Sequence, residues 1–228
     1  VPDLGDIRML PFNQNLQGER FFCRYERETQ VAMPGYYSVK LADMNIDVEL
    51  TATERTAMHR YTFNQPGEAN LLLDLQNGLV FNSKNIRYRV LEGEVEMLDN
   101  KTIAGYNRVR GWVARYFYYM IVFDRPYTVK KELPQEEGEK AKRFILEFDL
   151  KEGESVQVKV ALSTVGIEGA KMALDKENPG WNFESIKAET NGKWNDMLSL
   201  VEVEGTEEEK MNFYTSMYHL FIQPTNIA

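Results

Sequence analysis

Two histidines, one cysteine and 35 acidic residues are what this 228-residue chain offers for chemistry. His59 lies in the alternating segment His59-Arg60-Tyr61-Thr62-Phe63, where a strand histidine satisfied by a neighbour is the expected state. His219 follows Tyr218 in a helix-patterned aromatic stretch near the end of the sequence, at an apparent domain junction, and is a candidate site residue. Two histidines so far apart argue against a multi-histidine zinc site. Cys23, in Arg20-Phe21-Phe22-Cys23, reads as a small buried hydrophobe rather than a nucleophile. Trp112 follows Gly111 at the head of an aromatic run. The glycine leaves the indole face accessible for stacking on a sugar ring, and a core tryptophan is the competing reading. Asp3 and Asp6 bracket Leu4-Gly5 and either cap a turn or approach a substrate. Two carboxylates flanking a glycosidic bond could perform acid–base hydrolysis, with their separation setting the stereochemistry. No local spacing in a strand-rich chain encodes that separation, so the acids alone name no pair. There is no Walker loop, no G-x-G-x-x-G after a strand, no G-x-S-x-G, no H-E-x-x-H and no EF-hand loop.

The elements that would position these residues are strands first and helices last. Tyr37–Leu41, Ile46–Leu50, His59–Phe63, Ile86–Val90 and Val156–Leu162 alternate apolar and polar residues. Period-two alternation puts one face on a core and the other in water, which favours antiparallel sheets. Turn signals such as Pro34-Gly35, Asn77-Gly78, Glu92-Gly93, Asp99-Asn100 and Glu152-Gly153 separate the strands. About a dozen strands before residue 165 imply a mainly β fold, a large antiparallel β-sandwich. The apolar run Tyr116–Phe123 reads as a central strand buried on both faces, and Pro134–Lys140 as a solvated hairpin loop.

Past Pro179-Gly180 the periodicity becomes helical. Phe183, Ile186, Trp194, Met197, Leu198 and Val201 fall at helical spacings, with Asn182 as N-cap and a possible break at Gly192. Thr206-Glu207-Glu208-Glu209 forms a capping box, followed by the stripe Phe213, Tyr214, Met217, Tyr218 and Phe221. This aromatic helix would expose its apolar face unless something covers it. The expected division is a β-sandwich over 1–175, a helical linker over 176–204, and the start of a further domain over 205–228.

Composition narrows the function classes. A formal net charge of -8 argues against nucleic-acid partners. No apolar run approaches the ~18 residues needed to span a membrane as a helix. A single cysteine excludes an intrachain disulfide but leaves the compartment open. The beginning at Val1 and the stop soon after an amphipathic segment suggest a piece of a longer polypeptide, with a processed mature protein as the alternative.

Several phrases together resemble glycoside hydrolase family 92. They are Pro34-Gly35-Tyr36-Tyr37-Ser38-Val39, Glu49–Arg55, His59–Phe63, Ala161–Ala170, Pro179-Gly180-Trp181-Asn182-Phe183, and Phe213–His219 with Pro224. They run in family order over nearly the whole chain. The resemblance implies an exo-acting, inverting, calcium-dependent α-mannosidase, mostly bacterial and exported to the periplasm or cell surface. It implies a β-sandwich, a helical linker and an (α/α)6 toroid, with the active site between the sandwich and the toroid. By that resemblance the catalytic acid, the base and the calcium ligands belong to the toroid beyond Ala228. Calcium would serve the intact enzyme and not be bound by this segment. The implied partners are mannose-containing glycans, α-1,2-linked mannose first among them, and the toroid domain of the same chain. Asp3, Asp6, Trp112 and His219 are the substrate-facing candidates. An autonomous carbohydrate-binding sandwich is the alternative function, and a mainly buttressing scaffold is a third.

Overall fold

The computed structural model describes residues 7–13, 23–77, 90–110 and 113–222. Among these residues twelve strands precede three helices. The strands are β1 (Arg8–Phe12), β2 (Tyr25–Met33), β3 (Tyr36–Leu41), β4 (Ile46–Ala52), β5 (Thr56–Phe63), β6 (Ala69–Asp74), β7 (Val90–Met97), β8 (Thr102–Arg110), β9 (Ala114–Phe123), β10 (Tyr127–Glu132), β11 (Arg143–Phe148) and β12 (Ser155–Ser163). The helices are α1 (Ile167–Glu177), α2 (Phe183–Leu198) and α3 (Glu207–Phe221). No helix among the described residues is long and apolar enough to cross a membrane.

The strands form a four-stranded sheet, β1-β6-β11-β10, and an eight-stranded sheet, β2-β3-β4-β5-β12-β9-β8-β7. Every strand pairing is antiparallel. The two sheets share one core. Leu71, Leu73, Phe144 and Leu146 from the smaller sheet pack with Val48, Tyr61, Ile121, Phe123 and Val158 from the larger. This is the β-sandwich that the alternating segments imply.

Alternation decides which face each residue takes. On β5, Tyr61 and Phe63 enter the inter-sheet core, whereas Met58 and Arg60 point to the opposite face, where the helices lie. On β9, Phe117, Tyr119, Ile121 and Phe123 enter the core, while Met120 and Val122 meet α1 through Ala170, Ala173 and Leu174. Small residues on both sides, Ala104 and Ala161 against Ala170 and Ala173, let α1 lie close on the sheet. Two glycines have defined reasons. A Cβ at Gly105 would collide with the Glu94 carbonyl oxygen and the Tyr119 hydroxyl, which bond each other across that spot. Gly35 takes φ +81° in the β2–β3 turn, and a Cβ there would stand 2.7 Å from Thr190 Cγ2 of α2.

The structure departs from the sequence reading in four places. Residues 167–175, the end of the span expected for the sandwich, belong to helix α1 (Ile167–Glu177), which lies on the larger sheet. Helix α2 runs unbroken through Gly192. Strand β9 is doubly covered only in its second half, because α1 does not reach Tyr116, which is 39% exposed. The 134–140 loop is not wholly solvated: Glu139 turns inward to Arg143 at 2.9 Å, and Gln76 Oε1 accepts the backbone N–H of Lys140 and of Ala141. Buried backbone donors in that loop need acceptors, and Gln76 supplies one for two of them.

Candidate functional site

Asp3, Asp6 and Trp112 lie outside the described residues, as do the turn at Gly78 and most of the expected strand 86–90. The flanking strands are described, and Arg110 of β8 pairs with Ala114 of β9. His219 is exposed on α3, with its ring centre 5.8 Å from that of Tyr218. Tyr218 in turn meets Trp194 of α2 edge-on at 4.7 Å.

His59 is a structural group. Its Nδ1 lies 2.6 Å from the Tyr61 hydroxyl, and burial pushes its pKa down to about 4, so it stays neutral near pH 7. The same burial raises the Tyr61 phenol. Cys23 is half-buried, and burial pushes its thiol up, away from a reactive thiolate.

On β8 and β9 the sheet presents a strip of tyrosines that the sequence reading missed. Tyr106 of β8 and Tyr118 of β9 are register partners, and Tyr116 lies two residues before Tyr118. Their ring centres are 5.8 to 6.3 Å apart, and Tyr116 and Tyr118 are within 18° of parallel. Arg108 stands 5.5 Å from the Tyr116 ring centre. The Tyr106 hydroxyl donates to Glu92 Oε1 at 2.9 Å, which raises its pKa to about 12. Flat aromatic faces rimmed by a guanidinium and a carboxylate suit an uncharged, hydroxyl-rich ligand. The available signal was period-two spacing: Tyr116 and Tyr118 share a face, opposite Phe117 and Tyr119.

The helices are fixed to the sheet by charge-assisted contacts. Glu177, at the end of α1, accepts from the Thr53 hydroxyl at 2.6 Å and the Arg55 backbone N–H at 2.9 Å. Arg60 pairs with Glu49 at 2.6 Å and with Glu184 of α2 at 2.7 Å. Such hydrogen-bonded pairs are stronger than exposed ion pairs. Between α2, α3 and the β4–β5 turn a cleft of about 250 Å³ is lined by Thr53, Lys193, Trp194, Met197 and Phe221. Helix α3 buries no residue, and Phe213 is 38% exposed.

Among the described residues no group of three or more His, Cys, Asp or Glu is placed to hold a metal ion. What the described residues present beside β8 and β9 is a set of neighbouring aromatic faces.

A two-sheet sandwich with helices laid on the larger sheet is shared by carbohydrate-active enzymes of known structure. The chain superposes on the family GH92 alpha-mannosidase BT3965 from Bacteroides thetaiotaomicron with a TM-score of 0.82 and 27% identity, covering 97% of this chain and 32% of that one. The gh92 family glycosyl hydrolase ccman5 matches with a TM-score of 0.82 and 22% identity, over 98% of this chain and 33% of that one. The inverting mannosidase BT2199 from Bacteroides thetaiotaomicron VPI-5482 matches at 0.79 and 20%, over 96% and 30%. The chain thus spans about a third of the length of these proteins. A search of curated proteins finds no match. The glycosyl hydrolase family 92 N-terminal domain model matches residues 1–163, and the model of that family's catalytic domain matches 169–228. The chain belongs to glycosyl hydrolase family 92.

Proposed function

We propose that the chain is the N-terminal part of an exo-acting, inverting, calcium-dependent α-mannosidase. The observation that carries this reading is the superposition on a family GH92 alpha-mannosidase over 97% of the chain. In this reading the sandwich, proposed to span 1–175, forms one wall of the active site. The linker, 176–204, and the segment 205–228 lead into a catalytic toroid that supplies the acid, the base and the calcium ligands. The half-exposed aromatic stripe of α3 supports that arrangement, because it would be covered by such a toroid. An inverting hydrolase holds a water on one face of the sugar and an acid on the other, and a site between two domains gives a closed-ended pocket that suits an exo-enzyme. Asp3, Asp6, Trp112 and His219 are proposed to face that pocket. The proposed substrates are mannose-containing glycans, with α-1,2-linked mannose the first linkage to test, and the proposed location is periplasmic or cell-surface.

The 228-residue chain alone is expected to leave aryl α-mannosides intact, with or without calcium. A polypeptide extending it through a complete toroid is expected to release mannose, and to stop when a chelator is added. Turnover by the 228 residues alone would overturn the placement of acid and base outside them.

A second reading is an autonomous carbohydrate-binding module, favoured by the strip of half-buried Tyr106 and Tyr118 with exposed Tyr116. Calorimetric titration with mannose oligosaccharides tests it. Heat that disappears in Tyr116→Ala supports the module, and no heat at millimolar ligand counts against it.

A further inference from the structure

Helix α2 leaves the larger sheet at one end. Phe183 and Ile186 pack on Met58 in β5. Further along, the side chains of Thr190 and Asn191 reach the strand ends, donating to the Ala52 carbonyl at 3.1 Å and the Pro34 carbonyl at 3.4 Å. Residues 192–198 therefore run on past the sheet, for about 10 Å at the rise of a helix. Helix α3 packs against this overhang through the contact of Tyr218 with Trp194.

A second overhang stands at the same end of the sheet. Strand β12 stops at Ser163, whose partner on β9 is Tyr118. Strands β8 and β9 stay paired beyond that point, out to Arg110 and Ala114. The ladder from Tyr118 to Ala114 carries this arm about 13 Å past the end of β12.

Between the two overhangs lies the corner where β12 turns into α1. Its Val165 is 81% exposed, and Leu162 beside it is exposed as well. Val113, at the far end of the arm, is 71% exposed. The opposite end of the same sheet is built otherwise. Its turns carry Asp43, Asn64, Asp99, Asn100 and Glu152, the kinds of residue that turns place in water. Tyr25 and Leu98, the exposed large apolar residues near that end, stand on β2 and just after β7, at the two edges of the sheet. Scattered apolar residues of that sort need no explanation, whereas a group gathered between two projecting arms marks a surface for a partner.

Helix α3 points to the partner. It buries no residue, leaves Phe213 and Leu220 exposed, and lies at this same end. The family's catalytic-domain model matches 169–228, and the chain spans about a third of its relatives' length. We propose that Leu162, Val165 and Val113 form a docking face for the domain that α3 begins. That domain then rests across the strand ends of the larger sheet and not on α3 alone. The assignment rests on the reading of the chain as the N-terminal part of a longer enzyme, and adds which face of the sandwich the next domain covers.

The test compares the 228-residue chain with the polypeptide that continues through the toroid, by hydroxyl-radical footprinting read by mass spectrometry. Val113, Leu162 and Val165 are expected to label freely in the short chain and several-fold more slowly in the longer one. Leu98, at the opposite end, and Val129, on the smaller sheet, are expected to label equally in both. Val165→Asp changes a side chain that little else touches, so it should leave the Tm of the short chain unchanged. In the longer polypeptide it should lower the thermal midpoint and restore labelling of Leu162, whereas Leu98→Asp should do neither. Equal labelling of Leu162 and Val165 in the two polypeptides overturns the proposal. So does Val165→Asp that is neutral in the longer polypeptide, or that destabilises the short chain as much. Protection already present in the short chain and rising with its concentration gives the face to a second copy, and also overturns it. Hydrolysis of α-mannosides by the longer polypeptide without protection here removes the docking face alone. Protection without hydrolysis removes the mannosidase reading alone.

Discussion

The guanidinium of Arg60 lies 4.3 Å from the ring centre of Phe183, the first residue of helix α2. The ring is 2% exposed and packs with Met58 and Ile186, so α2 is attached by an aromatic group held between a cation and a small core. Phe183→Ala should cost about 3 kcal/mol, at the lower end for a buried phenylalanine, because this cluster is small. Arg60→Lys should cost less, about 1 kcal/mol, since an ammonium keeps the charge but cannot bridge Glu49 and Glu184 as a planar fork does. Urea unfolding of both variants checks the order. A Phe183→Ala midpoint equal to wild type would show that α2 is not anchored here.

Acid should destabilise the sandwich in two separable steps. His59 has its pKa pushed from 6.5 down to about 4 by burial. Below pH 6.5 the unfolded chain takes up a proton at this position that the folded chain refuses, so stability is lost as the pH falls from about 6.5 towards 4. The full depression is worth at most about 3 kcal/mol. Glu49 has its pKa lowered from 4.5, chiefly by its hydrogen bond to Arg60. Its contribution is therefore complete above pH 4.5 and fades only as the pH drops through its folded value. His59→Gln should flatten the stability curve between pH 6.5 and 4, and Glu49→Gln should flatten it below 4.5. Denaturant unfolding across that range, with a direct NMR titration of the His59 ring, measures both. A His59 that titrates near 6.5 in the folded protein would refute the first step.

Two glycines should respond in opposite directions to alanine. Gly192 sits inside α2 with nothing within 4 Å of where a Cβ would be. Gly192→Ala should stabilise the protein by about 1 kcal/mol through helix propensity and a less flexible unfolded chain. Gly105→Ala places a methyl on the Glu94 carbonyl and the Tyr119 hydroxyl, and overpacking of this kind costs about 1–3 kcal/mol. Thermal melts of the pair should shift Tm upward for the first and downward for the second.

Local pattern carried the fold further than it carried the site. Asn182 accepts from the Ser185 N–H and Thr206 exchanges bonds with Glu209, as their spacing foretells, because a helix cap is written within four residues. Alternation in β4, β5 and β12 likewise predicts which side chains enter the core. Helix α1 escaped notice because Gly166, Gly169 and five charged residues dilute its apolar face, whose buried residues are Ala170, Ala173 and Leu174. Alanines make that face flat, so it fits the sheet well while giving a weak periodic signal. The tyrosine strip was hidden for a different reason. The run 116–123 is apolar on both faces, and only the position of α1 determines that Met120 is covered and Tyr116 is not. Of the four candidate site residues, only His219 is among the described residues, and its ring lies beside that of Tyr218.

Helix α3 should be the least protected element of the chain. It buries no residue, and its ties to the rest include the Trp194–Tyr218 ring contact and the Tyr214 hydroxyl bond to the Val201 carbonyl at 3.1 Å. An isolated helix of this length is marginal in water, so its stability must come from its cap and those few contacts. Hydrogen exchange should therefore show α3 amides opening locally, while β9 and β12 at the centre of the larger sheet exchange only with global unfolding. Thr206→Ala removes the capping box and should cost about 1 kcal/mol, read as a selective gain in α3 exchange with little change in the global unfolding midpoint. In a polypeptide that continues through the toroid, the same amides should become protected as Phe213 and its neighbours are covered. Protection of α3 equal to that of β9 in the 228-residue chain would mean that the helix needs no further partner, and would remove one support for the two-domain reading.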